Sequence, residues 1–314
     1  MDLNSIIYSD KMIADLRAHL DEESNKFITY PKFVFLCGAA YSNDEEYRKT
    51  NRGIIEKYLK TKSDDVFIVL SEKLWEDSFD SNIDLLTFEE FLAEISDSII
   101  LFVESPGSFC ELGAFAYADK LFSDKLIIVI DEKYENDKSF IITGPAAKAK
   151  KDGAKIIYAP IGGKGLLSSF ALRNAIDEKT KDFASKTSGV NKRTSNKCED
   201  EVSINSFIIE LIELIKILQP VSRKDLIDIY KKVKEFSAFK FIKKDGNDYH
   251  NEIKIDYIFK LLETVGIIKT EDGFISLYTH YKSQHLMFNY PKKAENRERN
   301  RLICRKYRYR GQVK

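Results

Sequence analysis

The stretch Ser98-Ile99-Ile100-Leu101-Phe102-Val103-Glu104-Ser105-Pro106-Gly107-Ser108-Phe109-Cys110-Glu111-Leu112-Gly113-Ala114-Phe115 reads as strand, tight turn and helix in immediate succession. The unbroken apolar run Ser98–Val103 is the pattern of a parallel strand buried on both faces. Ser-Pro-Gly-Ser breaks it, and a helix-compatible run follows with one carboxylate, Glu111, near its start. Small residues at such a turn let the backbone approach a ligand closely, and the free N–H groups at a helix start favour phosphate or another anion. A glutamate aimed into that region has little structural purpose, because desolvating an unpaired carboxylate costs free energy. Glu111 is therefore the first candidate for chemistry, and Ser105, Gly107 and Ser108 are candidates for substrate contact.

Working outward, strand patterns recur at 33–37, 66–70, 126–130 and 155–159, with helix patterns at 43–60, 87–96 and 108–122 between them. Asn43 is placed to cap the first of these helices, with Asp44, Glu45 and Glu46 in its first turn. Strands alternating with helices imply an α/β fold, a doubly wound parallel sheet with right-handed crossovers. Ligands of such sheets sit beyond the carboxyl ends of the strands. The pocket is thus expected to gather Cys37-Gly38-Ala39, Ser71-Glu72 and 104–108, with Cys37 and Gly38 contacting substrate.

Residues 179–202 are rich in Lys, Thr, Ser, Asn and Gly and read as a polar linker. Beyond it come an apolar helix over 204–218, a helix over 223–233 capped by Ser222, and a third over 253–265. The segment 266–277 reads as a hairpin around Asp272-Gly273. Three helices followed by a hairpin is the order of a smaller, winged-helix-like domain. The expected division is 1–178 for the first domain, 179–202 for the linker, 203–290 for the second domain and 291–314 for a basic tail.

With 314 residues, 43% hydrophobic and 32% charged, two soluble globular domains are the natural reading. No basic start followed by an apolar run and no stretch of about 18 apolar residues is present, so a cytoplasmic location without a membrane is expected. Cys37, Cys110, Cys198 and Cys304 show no paired spacing, and His19, His250, His280 and His285 all lie outside the pocket segments. Metal sites, disulfide frameworks and histidine-based nucleophilic mechanisms are disfavoured, and no cofactor is expected. The net charge of zero conceals an asymmetry: residues 291–314 hold ten Lys or Arg against Glu295 and Glu298, a surplus of eight balanced by the rest of the chain. Arg305, Lys306, Tyr307, Arg308 and Arg310 interleave guanidinium groups with a ring that can stack on bases, the footprint of nucleic-acid contact. The run Ile161-Gly162-Gly163-Lys164-Gly165 lacks the Ser or Thr and the upstream Gly of a P-loop and reads as a surface turn.

The pocket offers carboxylates. Besides Glu111, the helix leading into the central strand carries Glu89, Glu90 and Glu94, of which Glu90 and Glu94 read as a solvated face. Two carboxylates about 5 Å apart suit displacement at an anomeric carbon, one attacking while the other manages the proton.

On these residues the chain resembles the nucleoside 2-deoxyribosyltransferase-like superfamily: strand, Glu-Ser-Pro-Gly-Ser, then Glu111-Leu-Gly-Ala, with Phe35-Leu36-Cys37-Gly38 at the first strand and Asp97 before the central one. The resemblance implies Glu111 as nucleophile on the sugar C1′, Glu89 orienting sugar or base, and Ser105, Gly107 and Ser108 holding a hydroxyl or 5′-phosphate. The superfamily's transferases carry aspartate where Ser105 and Glu89 stand, which directs attention to ribosylated or phosphorylated substrates. Over 33–145, including Ser139-Phe140 and Gly144-Pro145, the chain is similar to effectors encoded beside retron reverse transcriptases. That likeness implies a toxin of antiphage defence that cleaves the N-glycosidic bond of a nucleotide-type substrate, NAD foremost. It also implies restraint by the reverse transcriptase and its multicopy RNA–DNA hybrid, while the deoxyribosyltransferase-like resemblance, whose pockets often borrow residues from a neighbouring subunit, implies an oligomer. A non-enzymatic winged-helix DNA-binding regulator with a nucleotide-sensing domain, and a subunit with an inactive pocket, are the competing readings.

Overall fold

The computed structural model describes residues 10–21, 31–63, 66–75, 84–118, 120–163, 165–185, 201–237, 240–241 and 251–278. The chain divides into two units, Pro31–Lys186 and a second made of Met1–Tyr30 with Thr187–Lys314. In chain order the elements are α1 (Asp10–Asp21), β1 (Lys32–Cys37), α2 (Asp44–Tyr47), α3 (Asn51–Lys60), β2 (Val66–Val69), α4 (Ser71–Trp75), α5 (Leu85–Ile95), β3 (Ser98–Phe102), α6 (Pro106–Tyr117), α7 (Lys120–Ser123), β4 (Leu126–Asp131), α8 (Ala147–Lys151), β5 (Lys155–Ala159) and α9 (Phe170–Ser185). Then follow β6 (Glu201–Val202), α10 (Ile204–Leu218), β7 (Val221–Ser222), α11 (Arg223–Lys234), β8 (Lys240–Phe241), α12 (Asn251–Thr264), β9 (Ile268–Glu271) and β10 (Phe274–Leu277).

The first unit is built on a five-stranded parallel sheet in the order β2-β1-β3-β4-β5. The winding direction reverses between β1 and β3, which register Phe35 against Ile99 and Cys37 against Leu101. Successive side chains of a strand point to opposite faces, so the even residues Val34, Leu36, Ile100 and Phe102 pack against Ile55 and Leu59 of α3 and Leu172 and Ile176 of α9. The odd residues take the other face, where the Phe35 and Phe115 rings meet edge to face at 6.3 Å. At the amino edge, Asp97 accepts from the Phe33 amide at 2.9 Å and donates its own amide to the Phe33 carbonyl at 2.8 Å. Asp97 therefore locks β1 to β3 at the end of the sheet opposite the strand termini that face the α6 start.

Three boundaries differ from the sequence reading. The single helix expected over 43–60 is two, because Thr50 caps α3 through the Gly53 amide while Asn43 caps α2. The crossing is tight: a Cβ on Gly53 would stand 2.1 Å from the Tyr47 carbonyl oxygen. The helix expected over 108–122 starts at Pro106 and ends at Tyr117, where Ala118 turns extended. Residues 179–185, expected as the start of the linker, belong to α9, a helix anchored by Leu172, Ala175 and Ile176 that continues to Ser185. Composition alone does not separate a solvated helix from a linker.

In the second unit α10 is nearly all buried, including a Glu213–Lys216 pair at 3.6 Å. β7, β10 and β9 form an antiparallel sheet, and β6 pairs with β8 in parallel. Asp272 and Gly273 both take positive φ at the β9–β10 turn, as the Asp-Gly signal requires. The amino-terminal segment, expected in the first domain, belongs here instead. Arg17 of α1 donates to the Val233 and Lys232 carbonyls at 2.9 and 3.0 Å and pairs with Glu235 at 2.8 Å, closing the carboxyl end of α11. No helix among the described residues is long and apolar enough to cross a membrane.

Candidate active site

Cys37, Gly38 and the turn at 105–108 lie where the winding reverses, at the carboxyl ends of β1 and β3. Ser105 caps α6: its hydroxyl accepts from the Ser108 amide at 3.2 Å, while Ser108 Oγ accepts from the Glu104 and Ser105 amides at 2.9 and 2.8 Å. Ser108 is fully buried, and its hydroxyl is occupied by the turn. Pro106 lacks an N–H, the Phe109 amide bonds the Ser105 carbonyl, and the Gly107 amide is left as the open donor of the first turn. Glu111 lies four residues beyond Gly107, hence on the same helical face. Phe115, a further turn along, packs on Phe35, so this face looks onto the end of β1.

Glu111 is partly buried and its Oε2 is shielded from solvent with no hydrogen-bond partner. Burial foremost, then the negative charge of Glu89, pushes its carboxyl up to about 8. Glu89 is 8% exposed, and burial likewise raises it while the Ser71 hydroxyl and Arg52 oppose the rise. Glu90 and Glu94 are half-buried on the same helix. Cys37 follows Phe35 on the odd face of β1 and is held well above the usual thiol range, mainly by burial and then by Glu111 and Glu89. It is a neutral thiol beside the carboxylates.

Gly38 takes the opposite face, where a Cβ would stand 2.9 Å from Glu104 Oε1 and 3.3 Å from Phe102 Cβ, so any side chain there would displace the Glu104 carboxylate. Glu104 bonds the Ala39 amide at 3.1 Å and the Asn51 side chain, and Asn51 in turn accepts from the Gly162 amide at 3.2 Å. The loops after β1, β3 and β5 are thus tied together at α3. Neighbouring Arg52, 3% exposed, pairs with Glu72 at 2.7 Å, donates to the Ala39 carbonyl and lies over the Tyr41 ring. Asn51 and Arg52 escaped the sequence reading, because an Asn-Arg pair opening a helix carries no motif, whereas Ser71 lies in a segment expected at the pocket. Cys110 is exposed. Phe140 is 82% exposed and its ring lies against Gly144. Arg305, Lys306, Tyr307, Arg308 and Arg310 lie outside the described residues, as do His250, His280 and His285. Among the described residues no group of three or more His, Cys, Asp or Glu is placed to hold a metal ion.

The arrangement brings two carboxyl groups raised by burial, Glu111 and Glu89, to the same end of the sheet as a neutral thiol. The chain is 30% identical over 253 residues to the Escherichia coli protein named "Retron Ec86 putative ribosyltransferase/DNA-binding protein", covering 77% of this chain and 75% of that one. A second Escherichia coli protein, "Retron Ec73 putative ribosyltransferase/DNA-binding protein", is 30% identical over 260 residues, 80% of this chain and 78% of its own. Residues 48–270, which run from the turn before α3 to the β9 strand of the second unit, match the STM3845 retron effector protein family. With the match spanning both units and most of the chain, this protein belongs to the STM3845 retron effector family.

Proposed function

We propose that this chain is the toxin effector of a retron and cleaves the N-glycosidic bond of a nucleotide-type substrate, with NAD the foremost candidate. The observation that carries the reading is Glu111 on α6 at the end of β1, its Oε2 buried without a hydrogen-bond partner and its carboxyl raised by burial and by the negative charge of Glu89. Ionised Glu111 attacks C1′ and forms a glycosyl ester while the base departs with the bond's electron pair, a nicotinamide leaving directly as the neutral ring and a purine or pyrimidine taking up a proton from the acidic partner. Water then hydrolyses the ester, and the proton returns through the carboxylate pair. Glu89 orients the sugar, and the Gly107 amide with the Ser105 and Gly38 backbone lines the anionic or hydroxyl part of the ligand. The family membership and the relatives' names support both the glycosyl chemistry and the retron setting.

Three helices with the β7-β10-β9 sheet support a winged-helix-like reading of the second unit. Together with the basic residues of 291–314 it is proposed to hold the reverse transcriptase and its RNA–DNA product, which restrain the toxin. A DNA-binding regulator without turnover is the second reading, favoured by the same carboxyl-terminal unit.

Purified protein incubated with NAD and with nucleotides decides between them. Glu111→Gln is expected to lower cleavage by about 10²–10⁴-fold with the fold retained. Equal product from both proteins removes Glu111 from the mechanism, and none from either favours the regulator. Deleting 291–314 is expected to weaken RNA–DNA binding and flatten its salt dependence; an unchanged affinity places that contact elsewhere.

A further inference from the structure

Glu104 has no part in the chemistry just described, although it directly precedes the turn that begins α6. Both of its oxygens are engaged: Oε1 accepts from the Ala39 amide at 3.1 Å and Oε2 from the Asn51 side-chain amide. Its own backbone amide donates to Ser108 Oγ at 2.9 Å, inside the cap of α6. The orientation of Asn51 is forced, because a carboxylate only accepts hydrogen bonds and a backbone N–H only donates them. A side chain between the two must donate at one end and accept at the other. Asn51, 4% exposed in the first turn of α3, does this with Nδ2 on Glu104 and Oδ1 on the Gly162 amide at 3.2 Å. Aspartate in its place would set a second acceptor against the Glu104 carboxylate, and leucine, of similar shape, would leave both neighbours unsatisfied. The partners come from three strand ends: Ala39 follows β1, Glu104 follows β3 and Gly162 follows β5. Since β4 lies between β3 and β5, the strand ladder does not fix the loop after β5 against the turn after β3. The Asn51 amide does.

We propose that Asn51 and Glu104 are positioning residues for the α6 turn: the hydrogen-bonded chain from Gly162 through Asn51 and Glu104 to Ser108 fixes where that turn presents the Gly107 amide and, one helical turn later, Glu111. The inference rests on the glycosidase reading for the activity it serves, and neither residue touches substrate in it. A carboxylate whose two oxygens each hold an N–H is poorly placed to trade protons and well placed to orient what it binds. Any shift of Glu104 carries the Ser108 cap with it, and a displacement of about 1 Å at a reacting group costs on the order of 10²-fold in rate.

Exchanging donor and acceptor between the two side chains tests this. Glu104→Gln alone sets two amide donors against each other, and Asn51→Asp alone sets two carboxylates against each other. In the double variant the introduced glutamine donates to the introduced aspartate, whose other oxygen still accepts from the Gly162 amide, while the glutamine oxygen still accepts from Ala39. Every bond is kept, one of them reversed, and the net charge is unchanged. Each single variant is expected to lower kcat/KM for NAD or nucleotide cleavage by about 10²-fold, at a temperature where circular dichroism shows it folded, and the double variant to return to within about threefold of the parent. Hydrogen exchange of peptides covering 37–41, 104–111 and 160–163 reads the same exchange without turnover: faster in each single variant, restored in the double. A Glu104→Gln loss that Asn51→Asp does not repair overturns the proposal and leaves Glu104 a group with its own part in the chemistry. Folded single variants with the parent kcat/KM overturn it as well and leave the clasp a matter of stability alone, and a double variant that fails to fold also counts against it. If Asn51→Asp alone does not fold, Glu104→Gln against the double variant decides. In a protein that cleaves nothing, restored exchange in the double variant retains the clasp and retires only the glycosidase reading, whereas exchange left fast overturns the clasp.

Discussion

Glu111 holds its carboxyl at about 8 because α6 carries it over the end of β1, where protein replaces water and Glu89 stands nearby. Unfolded, the same group titrates at about 4.5. Between these values the folded protein keeps a proton that the unfolded chain has released, so the side chain's contribution to stability is full below about 4.5 and is lost as the pH rises through about 8. Glu111→Gln, which keeps the shape and removes the charge, is expected to melt a few degrees above the parent at pH 8, with the difference closing near pH 4; thermal denaturation across that range measures it. Sequence pointed to Glu111 because it follows a small-residue turn after the central strand, and to Glu89 only through the resemblance. It gave no sign of Arg52 or Asn51. Their importance comes from neighbours 13 and 53 positions away, the Ala39 carbonyl and Glu104, and no local pattern encodes such contacts.

At the scale of an element, α6 combines a cap and a ligand-facing turn, and the two tasks fall to different residues. Ser108→Ala leaves the Glu104 and Ser105 amides without their hydroxyl partner and is expected to cost about 1–3 kcal/mol in denaturant unfolding. Gly107→Ala should behave in the opposite way. A Cβ there meets nothing closer than Ser105 Oγ at 3.9 Å, and alanine favours a helix over glycine by up to about 1 kcal/mol. Stability is expected to hold or rise while KM for the nucleotide increases several-fold, because the added methyl faces the open amide. An unchanged KM would place the ligand away from this turn. The five strands were legible to within a residue or two from continuous apolar runs, since a strand buried on both faces has no polar alternation to obscure it. Helix ends were less so. The stop at Tyr117 and the break between α2 and α3 are set by where the chain must turn to pack, as when Phe122 comes back against Phe115 at 6.5 Å.

For the molecule as a whole, the two units divide the chain in a way that contiguous segments do not suggest. Arg17 closes the end of α11, and the last carbonyls of a helix have no partners within it. Arg17→Ala is expected to destabilise the second unit by about 1 kcal/mol. Hydrogen exchange should show faster amides in α10 and α11 with those of β1, β3 and β4 unchanged; equal acceleration in both units would contradict the division. The family match from 48 to 270 runs through both units.

Sequence by itself determined that this chain holds a parallel α/β sheet, that Asp-Gly closes a hairpin near its carboxyl end, and that Glu111 follows a tight turn after the central strand. These are short-range facts, written in hydrophobic period and turn chemistry over a few residues. Only the tertiary structure decided that Glu89 is buried and felt by Glu111, that Arg52 is buried against Glu72, and that α1 packs on α11 of the carboxyl-terminal unit through Arg17. Charge, burial and packing between remote segments depend on where the chain crosses itself, and the electrostatics of a site exist only once water has been excluded from it.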